Sequence, residues 1–295
     1  MSGIRAAFWI AGAVLLAALL VLSAHLAGNT LEFSQYNAGW NGTSQFFSGL
    51  DRHHATMIDS PSQLGAYRKE ALLLIIAPQR TPTSGETAAY RAFLERGNTI
   101  VLADDFGSGN RILRGIGSRI LILEGNLSSI DREYADSYTV AAYRVTNESP
   151  VNSVSMLLLN RPAPLEGGTP LVMTSIMSWV DANGDRRINS DEVMGKFAVI
   201  AKDEIGSGEL VVISDPSIFI NSMQDPGGAW DNQYLVRDLT TRDGPLLVDQ
   251  MNSRTRDAEG MSEILHVTKT ILPVQVMFLG VLMLAVAVAW KKRLL

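Results

Sequence analysis

The sequence predicts an open, mostly parallel α/β sheet with a β-rich insertion, flanked by a transmembrane helix at each end. Three observations carry that reading. Long apolar runs without charge stand near both ends of the chain, and short apolar runs alternate with amphipathic segments between them. A less regular middle leads into a loop marked by Pro162, Pro164, Gly167, Gly168 and Pro170.

Residues 6–26 contain no Asp, Glu, Lys or Arg, and at about 1.5 Å per residue they are long enough to cross a hydrocarbon core of about 30 Å. The run exceeds an ordinary signal-peptide core, so retention is favoured over cleavage near Ala24. Residues 271–290 form a second run, closed by Trp290 and then Lys291, Lys292 and Arg293. Arg5 before the first run and this basic cluster after the second place both termini in the cytoplasm. The expected layout is a membrane helix at 6–26, an extracytoplasmic α/β domain at 28–241, a juxtamembrane segment at 242–269 and a membrane helix at 271–290.

Within the domain, residues 31–33 and 55–58 read as strands around a short helix at 43–50. Residues 71–77 are the strongest strand, nearly all apolar as a strand covered on both faces should be, and stopped by Pro78. A helix over 86–95 ends at Gly97, and a strand at 99–103 runs into Asp104 and Asp105. Gly107 and Gly109 break the chain before a short helix through Ile116. Residues 120–123, 138–145 and 154–159 read as strands of the middle region, the last two as a hairpin or as separate insert strands. Strands at 172–180, 197–201 and 210–214 follow, the last ending at Asp215-Pro216, and a helix covers 232–239. Residues 242–269 read as a stalk, with a final edge strand at 246–248 as the alternative.

Composition excludes several classes. The 295 residues carry 25 Lys+Arg against 30 Asp+Glu, a net charge of −5, which is no electrostatic footprint for nucleic acid. With no cysteine there are no disulfides, thiol nucleophiles or Cys-ligated metals. His25, His53, His54 and His266 are too scattered to propose a His-rich metal site, and no serine sits in a G-x-S-x-G elbow. Gly107-x-Gly109 has the wrong spacing for a dinucleotide fingerprint and follows two aspartates that repel phosphate, so no nucleotide is expected.

Two clusters hold chemistry-bearing residues. Asp181, Asn183, Asp185, Asn189 and Glu192 put oxygen donors at positions 1, 3, 5, 9 and 12 of a calcium-type loop, with the carbonyl of Arg187 at position 7. Position 6, normally glycine, is Arg186, and the preceding residues read as a strand, so the segment is either a structural Ca2+ loop or an acidic surface turn. The second cluster is Asp104, Asp105, Asp215 and Asn221 at strand carboxyl ends, where ligands of open α/β sheets sit. Aspartates there also cap turns without any ligand. Trp40, in the turn-rich segment 37–42, reads as a residue at the rim of the core or as a binding aromatic, the first being favoured. Sequons at Asn41, Asn126 and Asn147 are candidate glycosylation sites and fit an external location.

With these segments in place, the chain resembles the domain-of-unknown-function family 4350. The resemblance rests on Tyr36-Asn37 with Gly42-Thr43, on Ala77-Pro78, on GNTIVLADDFGSGN at 97–110, on Ser178-Trp179, on GELVVISDPSIFIN at 208–221 and on Asn232. It spans residues 31–239. It implies a membrane-anchored archaeal or bacterial protein with a doubly wound, Rossmann-like, glutamine-amidotransferase-like fold, lacking the cysteine nucleophile that amidotransfer requires. The expectation is therefore a non-catalytic binding or assembly module, in contact with membrane lipid and a membrane-protein or surface-complex partner. A carboxylate-based hydrolase or sugar-acting enzyme and an accessory subunit of a transporter are the alternatives.

Overall fold

The computed structural model describes residues 29–50, 55–131, 137–224 and 230–257. The two long apolar runs and all four histidines lie outside the described residues. Among the described residues no helix is long and apolar enough to cross a membrane. One compact unit spans Glu32–Asp257.

Its elements are α1 (Ser44–Leu50), β1 (Thr56–Ile58), β2 (Leu72–Ile76), α2 (Ser84–Glu95), β3 (Thr99–Ala103), α3 (Gly109–Ile116), β4 (Leu121–Ile122), β5 (Asn126–Ser129), β6 (Thr139–Arg144), β7 (Met156–Asn160), β8 (Leu165–Glu166), β9 (Thr169–Thr174), β10 (Ser178–Asp181), β11 (Ala198–Ile205), β12 (Gly208–Ile213), α4 (Asn232–Thr240) and β13 (Leu246–Asp249). The main sheet has 11 strands, nine along the path β1-β13-β2-β3-β12-β11-β9-β6-β7, with β8 branching from β11 and β4 pairing with β8, while β5 and β10 form a separate ribbon.

This overturns the open, mostly parallel, Rossmann-like and amidotransferase-like sheet, while the two expected membrane helices lie outside the described residues. Strands β1, β13, β2, β3 and β12 are parallel, but from β12 onward every pairing in the main sheet is antiparallel. The physical cause is a hairpin. Ile205 pairs with Gly208 across only Gly206 and Ser207, with Gly206 at φ 63°, and a two-residue connection joins antiparallel strands alone. The β-rich region is thus the second half of one sheet, not an insertion beside it. The expected strand at 172–180 is two strands in different sheets, β9 and β10, parted at residues 175–177. Residues 31–33 are a turn, with Phe33 at φ 62°, and β13 is an interior strand between β1 and β2, not an edge.

The parallel half is covered on both faces, which is why β2 and β3 are buried at every position. Leu73, Ile75, Ile100 and Leu102 face Tyr90, Phe93 and Leu94 of α2 and Ile112 and Leu113 of α3. Leu72, Leu74, Ile76 and Val101 face Phe46 and Phe47 of α1 and Leu235 and Leu239 of α4. Thr83 caps α2 reciprocally with Glu86, which fixes where the chain turns after β2. The crossover from β2 to β3 runs over one face and the α4 crossover into β13 over the other, so β13 and β3 flank β2 on opposite sides. Such a reversal opens a crevice at the strand carboxyl ends.

Candidate functional site

A cleft of about 740 Å³ occupies that crevice. Asp104 and Asp105 reach it from the end of β3, Gln79 from the end of β2, and Arg254 from the turn after β13.

Asp104 is 2% exposed and accepts hydrogen bonds from Gly107 N at 3.1 Å and Gly109 N at 2.7 Å. Glycine is required at both positions by close approach. A Cβ on Gly107 would lie 2.3 Å from the Pro78 carbonyl oxygen, and one on Gly109 would lie 2.5 Å from Asp104 Oδ2. Burial pushes the Asp104 carboxyl up to about 7, against the two glycine amides and with the Asp105 charge adding to the rise.

Asp215 is fully buried and accepts from Asn160 N at 2.6 Å and Ser217 N at 2.8 Å. Burial raises it too, to about 7, with Asp105 contributing. The Asn160 bond joins the end of β7, the last strand on the sheet path, to the end of β12, and so brings Asn160 and Arg161 to the cleft. The Arg161 guanidinium stands 5.1 Å over the Tyr138 ring.

Asn221 is 7% exposed and spends both ends of its side chain on structure. Its Oδ1 accepts from Gln45 N at 2.9 Å, and its Nδ2 donates to Gly39 O at 2.6 Å and Asn37 O at 3.2 Å. These bonds hold the turn at 37–42. That turn carries Trp40, which is 68% exposed at the cleft and so is not packed at the rim of the core. Phe106, 54% exposed, is a second open aromatic there.

Asp105 differs from its neighbours. Its Oδ1 takes Phe106 N at 2.6 Å, and it is half-buried in the cleft. Burial raises its carboxyl, Phe106 N opposes, Glu32 adds to the rise and Arg254 counters it. Glu32 is itself paired to Arg254 at 3.1 Å. Phe33, Ala77 and Arg161, at φ 62°, 47° and 57°, are three of the five described non-glycine residues in the left-handed region, and all three line the cleft. Each costs about 1 kcal/mol or more, and such strain gathers where a surface must be pre-shaped.

Of the residues expected from sequence, Asp104 and Asp105 line the cleft, while Asp215 and Asn221 hold the segments that build its walls. The sequence reading missed Gln79, Asn160, Arg161, Phe106 and Arg254. Gln79 follows a strand end and was open to the same rule that picked out Asp104, whereas the left-handed backbone of Arg161 leaves no signal in the sequence.

No residue of the 181–192 loop lines this cleft, although Asp181 pairs with Asn126 and Arg186 shares the Tyr138 ring with Arg161. Asp181, 1% exposed, accepts from Gly184 N at 2.8 Å, Arg186 N at 2.9 Å and Tyr138 Oη at 2.9 Å. Glu192 accepts from Ala182 N and Asn189 N, both at 3.0 Å. Asp185 takes Arg187 N at 2.8 Å and the Asn183 and Asn189 carboxamides, bonds that hold its carboxyl below the usual range. The oxygen donors suit a hard cation by chemistry, but among the described residues no three acidic or histidine side chains gather closely enough to hold one. Of the sequons, Asn147 is exposed and accepts from Arg144, Asn41 accepts from Asn37, and Asn126 lines the cleft.

A family profile described as "Domain of unknown function (DUF4350)" matches residues 35–240. No curated protein matches the chain. Among solved structures it is similar to the mmIFT52 N-terminal domain, with a TM-score of 0.51 at 13% identity over 74% of this chain and 96% of that one. That likeness is one of fold. A cytoplasmic protein of Salmonella typhimurium, STM3548, aligns with a TM-score of 0.39 at 12% identity, over 68% of this chain and 86% of that one. A beta-galactosidase from Bacillus circulans sp. alkalophilus aligns with a TM-score of 0.30 at 10% identity, over 52% of this chain and only 21% of its own length.

Proposed function

This chain belongs to the DUF4350 family, and from that premise we propose that it is a non-catalytic ligand-binding module presented outside a cell membrane, with both termini in the cytoplasm. The observation that carries the binding reading is the division of labour among the strand-end carboxylates. Asp104 and Asp215 each spend their oxygens on two backbone amides, and Asp105 alone keeps capacity towards the cleft. A carboxyl raised to about 7 is also what a general acid needs, as at Asp104. An acid must aim its proton at the substrate, however, and both Asp104 oxygens already face amide donors. Glycoside hydrolysis needs two carboxyl groups open to the same bond, roughly 5–10 Å apart. The uncharged runs at 6–26 and 271–290, with basic residues at their outer ends, support the membrane placement and an assembly partner there.

The test is turnover. The full chain, in a detergent without a sugar headgroup, is expected to release no nitrophenol from nitrophenyl glycosides, esters or phosphate. Release that disappears in Asp105→Asn would overturn the non-catalytic reading.

The oxygen-donor spacing of the 181–192 loop supports a structural Ca2+ ion as part of the same proposal, which Asp181, Asn183, Asp185, the Arg187 carbonyl, Asn189 and Glu192 would hold only by drawing together and giving up the amide bonds their carboxylates accept here. Calcium in excess over magnesium is expected to raise the melting temperature by several degrees, because a ligand at about 100 times its Kd adds about 2.7 kcal/mol to stability. The rise should vanish in the double variant Asp181→Ala, Asp185→Ala. An equal effect of magnesium would reduce the loop to an acidic turn.

A further inference from the structure

We propose that the strand-end cleft takes a short neutral oligosaccharide, an inference that rests on the binding reading above and names its ligand class. Charge balance comes first. Glu32 is neutralised by Arg254 at 3.1 Å, and Asp104 is buried under two amides, which leaves Asp105 and Arg161 as one carboxylate and one guanidinium facing the space. A nucleotide or phosphate needs a surplus of donors and positive charge, which this lining does not supply.

The neutral polar groups point the same way. Gln79 and Asn126 line the cleft and make no side-chain hydrogen bond among the described residues, and the Asn160 carboxamide touches only Ser217 Oγ at 3.5 Å. A carboxamide both donates and accepts, as does every hydroxyl of a sugar. Carboxamides beside one carboxylate and one guanidinium therefore meet a polyhydroxylated ligand without leaving either side with unmatched partners.

Two open rings complete the set. Trp40 and Phe106, on separate segments, expose 68% and 54% of their surface at the same cleft. A pyranose presents a face of C–H bonds that stacks on an aromatic plane, burying apolar area while its hydroxyls stay in plane with the polar side chains. A quaternary ammonium ion would use the rings and Asp105 but would leave the carboxamides idle.

The experiment uses the full chain in a detergent without a sugar headgroup. Cellohexaose, maltohexaose, mannohexaose and chitohexaose are titrated by calorimetry and by tryptophan emission, with choline and ATP alongside. At least one hexasaccharide is expected to saturate binding, with affinity falling about tenfold or more in Trp40→Ala and in Phe106→Ala at unchanged melting temperature. If no hexasaccharide binds and choline or ATP binds through Trp40, the ligand class is overturned while the binding reading stands. If a hexasaccharide is cleaved in an Asp105-dependent way, the ligand class holds and the non-catalytic reading falls. If none of the six probes binds, the proposal is overturned.

Discussion

Replacing Asp249 with alanine is expected to lower the unfolding free energy by about 3–4 kcal/mol, the largest loss from any single change considered. Asp249 ends β13 and is fully buried. Its Oδ1 accepts from Tyr90 Oη at 2.7 Å, and its Oδ2 accepts from Asn252 N at 2.8 Å, Ser253 N at 3.0 Å and Ser253 Oγ at 3.1 Å. Burial pushes this carboxyl up, against the lowering effect of these four donors. Alanine strands all of them in the core, at about 1–3 kcal/mol for each group that finds no new partner. Because β13 lies between β1 and β2, the loss is felt on both of its sides. Tyr90→Phe should cost less, about 1–2 kcal/mol, since Asp249 keeps three donors. Urea unfolding followed by far-ultraviolet circular dichroism checks both values. A loss below about 1 kcal/mol for Asp249→Ala would mean that the network is not what anchors β13.

The second large effect is a pH dependence of the opposite sign to common acid denaturation. Asp104 and Asp215 have folded values of about 7, above the 3.8 of an unperturbed aspartate, because burial disfavours their charged forms. The folded state therefore binds more protons than the unfolded state between about pH 4 and 7. Their contribution to stability is fully present below the unfolded value and is lost as pH rises through about 7. From pH 5 to pH 8 each carboxyl removes about 2–3 kcal/mol. Glu86 and Asp203 act in the other direction. Burial pushes both up, but hydrogen bonds from Arg80 and Thr83 to Glu86, and from Arg119 to Asp203, hold them low. That stability is present above the unfolded carboxylate range and is lost as pH falls through the lowered values, so it opposes the slope only in acid. The melting temperature is expected to fall as pH rises from 5 to 8, and the slope to shrink in Asp215→Ala. A flat profile between pH 5 and 8 would contradict the burial account.

The parts of this molecule that were legible in the sequence are those set by local rules. An all-apolar run stopped by Pro78 marks β2, and the paired aspartates after β3 mark the cleft by the strand-end rule. The register of the second half was not legible, because it depends on where two strands end. Ending the strands at Ala201 and Leu210 treated residues 202–209 as a loop, when extending each inward leaves only Gly206-Ser207 and forces an antiparallel hairpin. The candidate site divides in the same way. That carboxylates stand at strand ends is a sequence statement, but which of them is consumed by amides depends on Asn160 arriving from β7, 55 residues away from Asp215 in the chain. Sequence leaves Trp40 between the core rim and a binding aromatic, and its 68% exposure excludes the core rim. Its exposure follows from Asn221 holding the turn from the other side of the chain, across 182 residues at the Gly39 contact.

Asp105 serves the ligand while Asp215 serves the fold, and the melting temperatures of Asp105→Ala and Asp215→Ala, each paired with the affinity for whichever hexasaccharide binds, separate the two roles. The account predicts that Asp105→Ala melts within about 2 °C of the parent chain and binds about tenfold more weakly. Asp215→Ala, with the Asn160 and Ser217 amides left without an acceptor, should melt at least about 5 °C lower at pH 5. A destabilised Asp105→Ala together with an Asp215→Ala that melts like the parent would contradict it.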